Sequence, residues 1–186
     1  GSLAALCGVT VALLLSMNVP IVLAVLITMA VGAVVGIFNA WMVNKIKLEA
    51  FIATLVTQSV IRGFAYLICD GRPVAISNKA MVAFGKARFL TIPIVVWIMI
   101  AAMIIFGFVL AKTRFGRSVY AIGGSVEAAR LAGLNPKRIV TLCFVLIGVL
   151  SAVAGIAHAA RMNAGQPNPN INLEFDAITA VILGGV

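Results

Sequence analysis

The chain of 186 residues is 63% hydrophobic and only 10% charged, with a mean hydropathy of +1.17. An ordinary soluble domain carries about 25% charged residues, and a folded chain this short still needs polar surface to face water, so a purely soluble fold is excluded. The formal net charge of +9 would point to nucleic acid in a soluble protein, but here the basic residues punctuate apolar runs, which is the pattern of membrane topology and not of a nucleic-acid partner.

No Asp, Glu, Lys or Arg occurs from Gly1 to Asn44, between Arg88 and Lys112, or between Arg138 and Arg161. One helical crossing of the hydrocarbon slab takes roughly 20 apolar residues. The predicted spans, in chain order, are 3–17, 20–43, 50–69, 89–111 and 139–160, with an incomplete one from about 177. Met17-Asn18-Val19-Pro20 separates the first two, because Asn and Pro favour a turn and Pro interrupts helical hydrogen bonding. Backbone polar groups in lipid must be paired internally, so the fold class is all-α, a polytopic helical transmembrane bundle surrounded by the lipid bilayer. The chain opens without Met and stops inside the apolar run Ala180–Val186, so it reads as a fragment of about five complete spans. Its apolar opening lacks the charged flank and cleavage site of a secretory signal.

Small-residue pairs, Gly32-x-x-x-Gly36 and Ser151-x-x-x-Gly155, allow close helix approach; packing within the chain is the expected use, a dimerisation face the other. Cys7, Cys69 and Cys143 are far apart, form no C-x-x-C pair and read as small packing residues.

Orientation follows from the basic residues. The loop 112–138 holds Lys112, Arg114, Arg117, Arg130, Lys137 and Arg138 against the single acid Glu127, so it is assigned to the cytoplasm. Alternation adds Lys45 and Lys47 to that side and puts Arg72, Lys79, Lys86, Arg88 and Arg161 outside, eight cations against five.

Within 112–138, Ser125 can cap a short helix with Glu127 in its first turn, where the helix dipole favours an anion, and Gly133 can end it. Asn135 can then cap the next helix with Pro136 at its first position. Lys137 and Arg138 stand where the dipole disfavours cations, and acidic lipid headgroups are the simplest reason to keep them there. A two-turn helix between two crossings, exposed on the cytoplasmic side, suits docking.

Glu127-Ala128-Ala129 followed by Gly133 resembles the EAA-x-x-x-G signature of ABC importer permeases. The surrounding string, Arg114-Phe115-Gly116-Arg117, Tyr120 to Gly124 and Glu127 to Leu131, is similar to permeases of ribose, galactose and xylose importers, as are Gly165 to Asn168, Asp176 to Ile178 and Val181 to Gly185. Upstream, Gly36, Asn39, Lys45, Phe51-Ile52, Thr54-Leu55 and Arg62-Gly63 fit the pattern more loosely, with Ala40 in place of a frequent glycine and Glu49-Ala50 in place of a common proline pair. The resemblance implies a single transmembrane permease domain over 1–186, covering the middle of such a subunit and lacking its first crossing or crossings and its last helices. It implies a multi-pass protein of the bacterial inner membrane that pairs with a second permease copy, cytoplasmic ATPase subunits and a periplasmic sugar-binding protein. It also implies coupling to the ATPase through Arg117, Gly123, Gly124, Glu127, Ala128, Ala129, Arg130, Leu131 and Gly133.

These residues contain no G-x-x-x-x-G-K-[ST] loop, no H-E-x-x-H and no G-x-S-x-G, so no catalytic or metal constellation is expected, and ATP and Mg2+ belong to the partner ATPase. The competing readings are a secondary transporter or channel not driven by ATP, and an importer of a sugar-like signal, a nucleoside or a branched-chain amino acid.

The substrate-pathway candidates are Asn39, Gln58, Arg62, Gln166 and Asn168. Arg62 lies mid-span, where a cation costs about 2.5–3.5 kcal/mol on insertion scales. Either another span supplies it with a partner, or it lines the sugar path with Gln58, one turn earlier. His158 reads as interfacial, a proton relay being the alternative. The segment Arg161 to Asp176, with Asn163, Gln166, Asn168, Asn170, Asn172 and two prolines, is read as external: turn chemistry explains it, and amides also suit sugar hydroxyls or a docking protein. Beyond it, a half-helix opening with Glu174 and Asp176 is expected to enter the membrane and turn near Gly184-Gly185.

Overall fold

A computed structural model describes residues 1–89, 91–168 and 173–184. Helix α1 (Ser2–Ser16) turns at Asn18 into α2 (Ile21–Trp41), which ends in a π-helical turn, Met42–Ile46. Helix α3 (Ala50–Ile68) leads to strand β1 (Val74–Ala75), helix α4 (Lys79–Lys86) and a tight hairpin of β2 (Arg88–Phe89) and β3 (Ile92–Pro93). Then come α5 (Ile94–Lys112), α6 (Arg114–Gly124), α7 (Val126–Leu131), α8 (Pro136–Met162), β4 (Ala164–Gly165) and α9 (Leu173–Leu183). The fold is an all-α bundle. Among the described residues, four helical stretches, Ile21–Ile46, Ala50–Ile68, Ile94–Lys112 and Pro136–Met162, are long and apolar enough to cross a membrane.

The first predicted span, 3–17, corresponds to helix α1, Ser2–Ser16. Its Ala5, Cys7, Val9, Val11 and Ala12 are fully buried, and it packs against α8, α3 and α2. A helix that is apolar all round belongs in an interior.

The bundle's main seam is α2 against α8, antiparallel. A Cβ added at Gly32 would stand 2.5 Å from the carbonyl oxygen of Gly148, one at Gly36 2.5 Å from that of Phe144, and one at Gly148 2.2 Å from that of Gly32. Only residues without a side chain let the two backbones lie this close. On another face of α8, a Cβ at Gly155 would meet the Ala4 carbonyl oxygen at 2.2 Å. Gly32, Gly36 and Gly155 of the two small-residue pairs are thus used within the chain. At one end of the seam Asn44 Nδ2 donates to the Lys137 carbonyl (3.1 Å) and to Thr141 Oγ1 (3.0 Å), fastening the π-helical turn to α8.

At the other end, the segment 70–88 is more than the basic loop its composition indicates. Asn78 Oδ1 accepts from the Ala80 and Met81 amides to start α4, whose Met81 is buried beside Val11, Leu15 and Ile156. β1 pairs with β4 and Ile76 N–H donates to the Asn163 carbonyl, so this helix is tied to the segment leaving α8. The β2–β3 hairpin also delays α5 from the predicted 89 to Ile94, with Pro93 as its N-cap. Trp97 Nε1 donates to the Phe89 carbonyl at 3.3 Å, suiting an indole to an interfacial level.

Candidate functional site

Polar groups at depth in an apolar bundle need a physical reason, and two neighbouring turns of α3 carry such a set. Arg62 Nε donates to Ser2 Oγ on α1 at 2.9 Å, and Arg62 Nη1 donates to Asn168 Oδ1 at 3.3 Å. Its Nη2 is buried with no partner among the described residues. One turn earlier, Gln58 Nε2 donates to Glu174 Oε1 at 2.6 Å.

Asn168 and Glu174 reach α3 because the chain doubles back after α8. Asn163, in the left-handed conformation (φ 53°), ends that helix, and β4 then pairs with β1. Gly165 lies against the middle of α1, where an added Cβ would stand 2.5 Å from the Gly8 carbonyl oxygen. Three residues on, Asn168 shares Arg62 with Ser2, at the start of α1. From the level of Gly8 to that of Ser2 is about 9 Å along the helix axis. The stretch read as external therefore runs back along α1 towards its start, with Gly165 and Pro167 buried and Asn168 exposed. Pro169, Asn170 and Asn172 lie outside the described residues, as does Gly185.

Of the five pathway candidates, the fold brings Arg62 and Asn168 into contact and sets Gln58 one turn away. Asn39 lies half-buried on α2, its Oδ1 without a partner among the described residues, and Gln166 is half-buried in the segment that runs back along α1; neither bonds to the Arg62 group. Sequence reasoning missed Ser2 and Glu174. A lone mid-span cation is a signal to look for acceptors on other elements, but nothing in the sequence singles out Ser2 among the hydroxyls. Half-buried His158 lies near the C-terminal end of α8, one turn before Arg161.

At the opposite end, α6 and α7 form an elbow between α5 and α8. Thr113 Oγ1 accepts from the Gly116 amide, Ser125 Oγ from the Ala128 amide at 3.2 Å, and Asn135 Oδ1 from the Arg138 amide at 3.4 Å. Gly133 follows α7 at φ 81°, the left-handed conformation a glycine adopts without steric cost. Helix α7 has the bounds that its capping residues predict, whereas α6 occupies a stretch whose three glycines gave no helical signal. Ala129 alone of the nine expected coupling residues is buried; Arg117, Gly123, Gly124, Glu127, Ala128, Arg130, Leu131 and Gly133 are exposed. Leu131 is 90% exposed and Tyr120 69%. Large apolar side chains held out beside Arg114, Arg117 and Arg130 on a capped helical pair form a surface suited to a protein partner.

The family described as "Branched-chain amino acid transport system / permease component" matches residues 1–186. The chain is 46% identical over 148 residues to the L-arabinose transport system permease protein AraH of Escherichia coli (strain K12), covering 80% of this chain and 45% of that protein. It is 38% identical over 189 residues to the ribose import permease protein RbsC of the same organism, covering 100% of this chain and 59% of the relative. To the ribose import permease protein RbsC of Haemophilus influenzae it is 36% identical over 189 residues, covering 100% and 58%. The chain thus spans about half the length of these curated relatives. No solved structure matches it.

Proposed function

The chain belongs to the permease-component family of branched-chain amino acid transport systems, and we propose that it forms part of the translocation pathway of an ATP-driven importer in the bacterial inner membrane, carrying a monosaccharide. The relatives named for L-arabinose and ribose support a pentose as cargo. In this reading the chain transports and makes no bonds; ATP and Mg2+ are held by cytoplasmic ATPase subunits, a second permease copy completes the pore, and a periplasmic binding protein delivers the sugar.

The observation that carries the reading is the α6–α7 elbow: a capped, basic helical pair that projects from the bundle with Leu131 and Tyr120 uncovered. We assign it to the ATPase contact. Its connection to α5 and α8 would pass ATPase closure on to those helices, while Gln58, Arg62 and Asn168 supply donors and acceptors, as neutral sugar hydroxyls require.

The test replaces Glu127→Lys and Gly133→Leu, separately, in the full-length permease assembled with its ATPase. Expected is at least a tenfold fall in sugar uptake per ATP hydrolysed, with unchanged amounts of permease in the membrane. Normal coupling in both variants removes the assignment.

A further inference from the structure

We infer that the cleft between the π-helical end of α2 and the start of α8 is a binding site for an acidic phospholipid of the cytoplasmic leaflet. The cleft has a volume of about 780 Å³, within the roughly 300–1,000 Å³ typical of ligand sites. Its apolar wall includes Ile37, Trp41 and Leu142, which are 52%, 46% and 49% exposed, and its rim carries Lys45, Lys137 and Arg138.

Several observations converge on an amphiphilic anion. The polar groups that build the cleft are already engaged: Asn44 donates to Thr141 Oγ1 and to the Lys137 carbonyl, and Thr141 Oγ1 donates to that same carbonyl. This bonding fixes Lys45, the next residue along, beside the first turn of α8. The three cations are exposed and none makes an ion pair among the described residues. Lys137 and Arg138 also stand at the positive end of the α8 dipole, so their charges, the helix end and Lys45 repel one another until an anion sits among them. A phosphate at the rim offsets that repulsion, and basic pockets between spans on the cytoplasmic side are suited to acidic headgroups. A free phosphate ion would leave the apolar wall bare, whereas a lipid covers it with its acyl chains. The π-helical turn is the device that places Lys45 at the rim, a use consistent with the frequency of such turns at functional sites.

Trp41, on the apolar wall, is a built-in reporter. The full-length permease is reconstituted with phosphatidylglycerol brominated on its acyl chains or, in parallel, with equally brominated phosphatidylcholine, and W41F supplies the blank. Expected is quenching of the Trp41 signal at a several-fold lower mole fraction of the acidic lipid. Each single neutralisation among K45Q, K137Q and R138Q should cut that preference about fivefold, from about 1 kcal/mol per cation near the headgroups. The triple variant should abolish it, and K45R with K137R should keep it. Millimolar inorganic phosphate should leave the quenching unchanged. Equal quenching by the two lipids in the unaltered protein, or relief by inorganic phosphate, overturns the site. Absence of quenching by either lipid, as when a second copy or another segment covers the cleft, overturns it too.

Discussion

Helices α8 and α5 are both long, apolar crossings of the sequence, yet they end in opposite environments. Gly148, Ala152, Gly155, Ala157, Ala159 and Ala160 of α8 are buried, whereas α5 has no buried residue. Composition explains the contrast. Where apolar tails are as good a solvent as leucine, helices associate by close packing and not by hydrophobic exclusion. The small residues of α8 let α2 and α1 approach to backbone contact; the Met, Ile and Phe side chains of α5, such as Met103, Ile104 and Phe108, are exposed. Hydropathy says that a helix lies in the membrane, and side-chain size says which helix forms the centre.

The largest test of this contrast pairs two glycine substitutions. Gly148→Leu drives a side chain into the Gly32 backbone and should destabilise the bundle by about 3 kcal/mol or more. A Cβ added at Gly107 on α5 meets nothing within 4 Å, and Gly107→Leu should be tolerated within about 0.5 kcal/mol. Thermal unfolding of the full-length protein in detergent measures both. Equal losses would break the contrast, by placing a close neighbour on the Gly107 face.

A smaller effect is expected where polar bonds, not packing, join the elements. Asn168→Ala and Arg62→Leu each remove one side of the tether between α3 and the segment that runs back along α1. In a double-mutant cycle the pair should couple by about 1 kcal/mol, the range for a hydrogen bond to a charged group weakened by its 3.3 Å length. Arg62→Lys should do worse than its conserved charge suggests, since a single ammonium cannot reach Ser2 and Asn168 in the forked geometry of a guanidinium. Zero coupling would mean that the segment is held by Gly165 and the β1–β4 pair alone.

Local chemistry was legible in the sequence, and distant pairing was not. Charge-free runs located three of the four long apolar helices, α3 being interrupted by Arg62, and the signals at Ser125, Gly133, Asn135 and Pro136 marked the ends of α7 and the start of α8 because capping depends on near neighbours. Helix α6 was not legible, since Gly116, Gly123 and Gly124 weaken intrinsic propensity, although Thr113 caps its start. Helix α4 is eight residues long, too short for periodicity to stand out, and it depends on burying Met81 against α8. Gln58 and Glu174 are 116 residues apart, and Arg62 and Asn168 106. Their meeting follows from the chain doubling back along α1, which no local pattern encodes.

The mildest prediction sets the two short capped helices against each other. Removing either cap, by Ser125→Ala or Asn78→Ala, should cost about 1 kcal/mol, or roughly fivefold in amide exchange rate. The starting points should differ more than the increments. Opening α4 exposes Met81, which is 2% exposed, and breaks its hold on α8, so its amides should be well protected before and after the change. Helix α7 has six residues and buries only Ala129, too little to hold a helix of this length firmly, so its amides should exchange quickly even with Ser125 in place. Addition of the cognate ATPase should slow exchange across Val126–Leu131 and leave Lys79–Lys86 unchanged. Protection of α7 equal to that of α4 in the isolated permease would show that its outward face is already covered, and the elbow would then have no free surface to offer an ATPase.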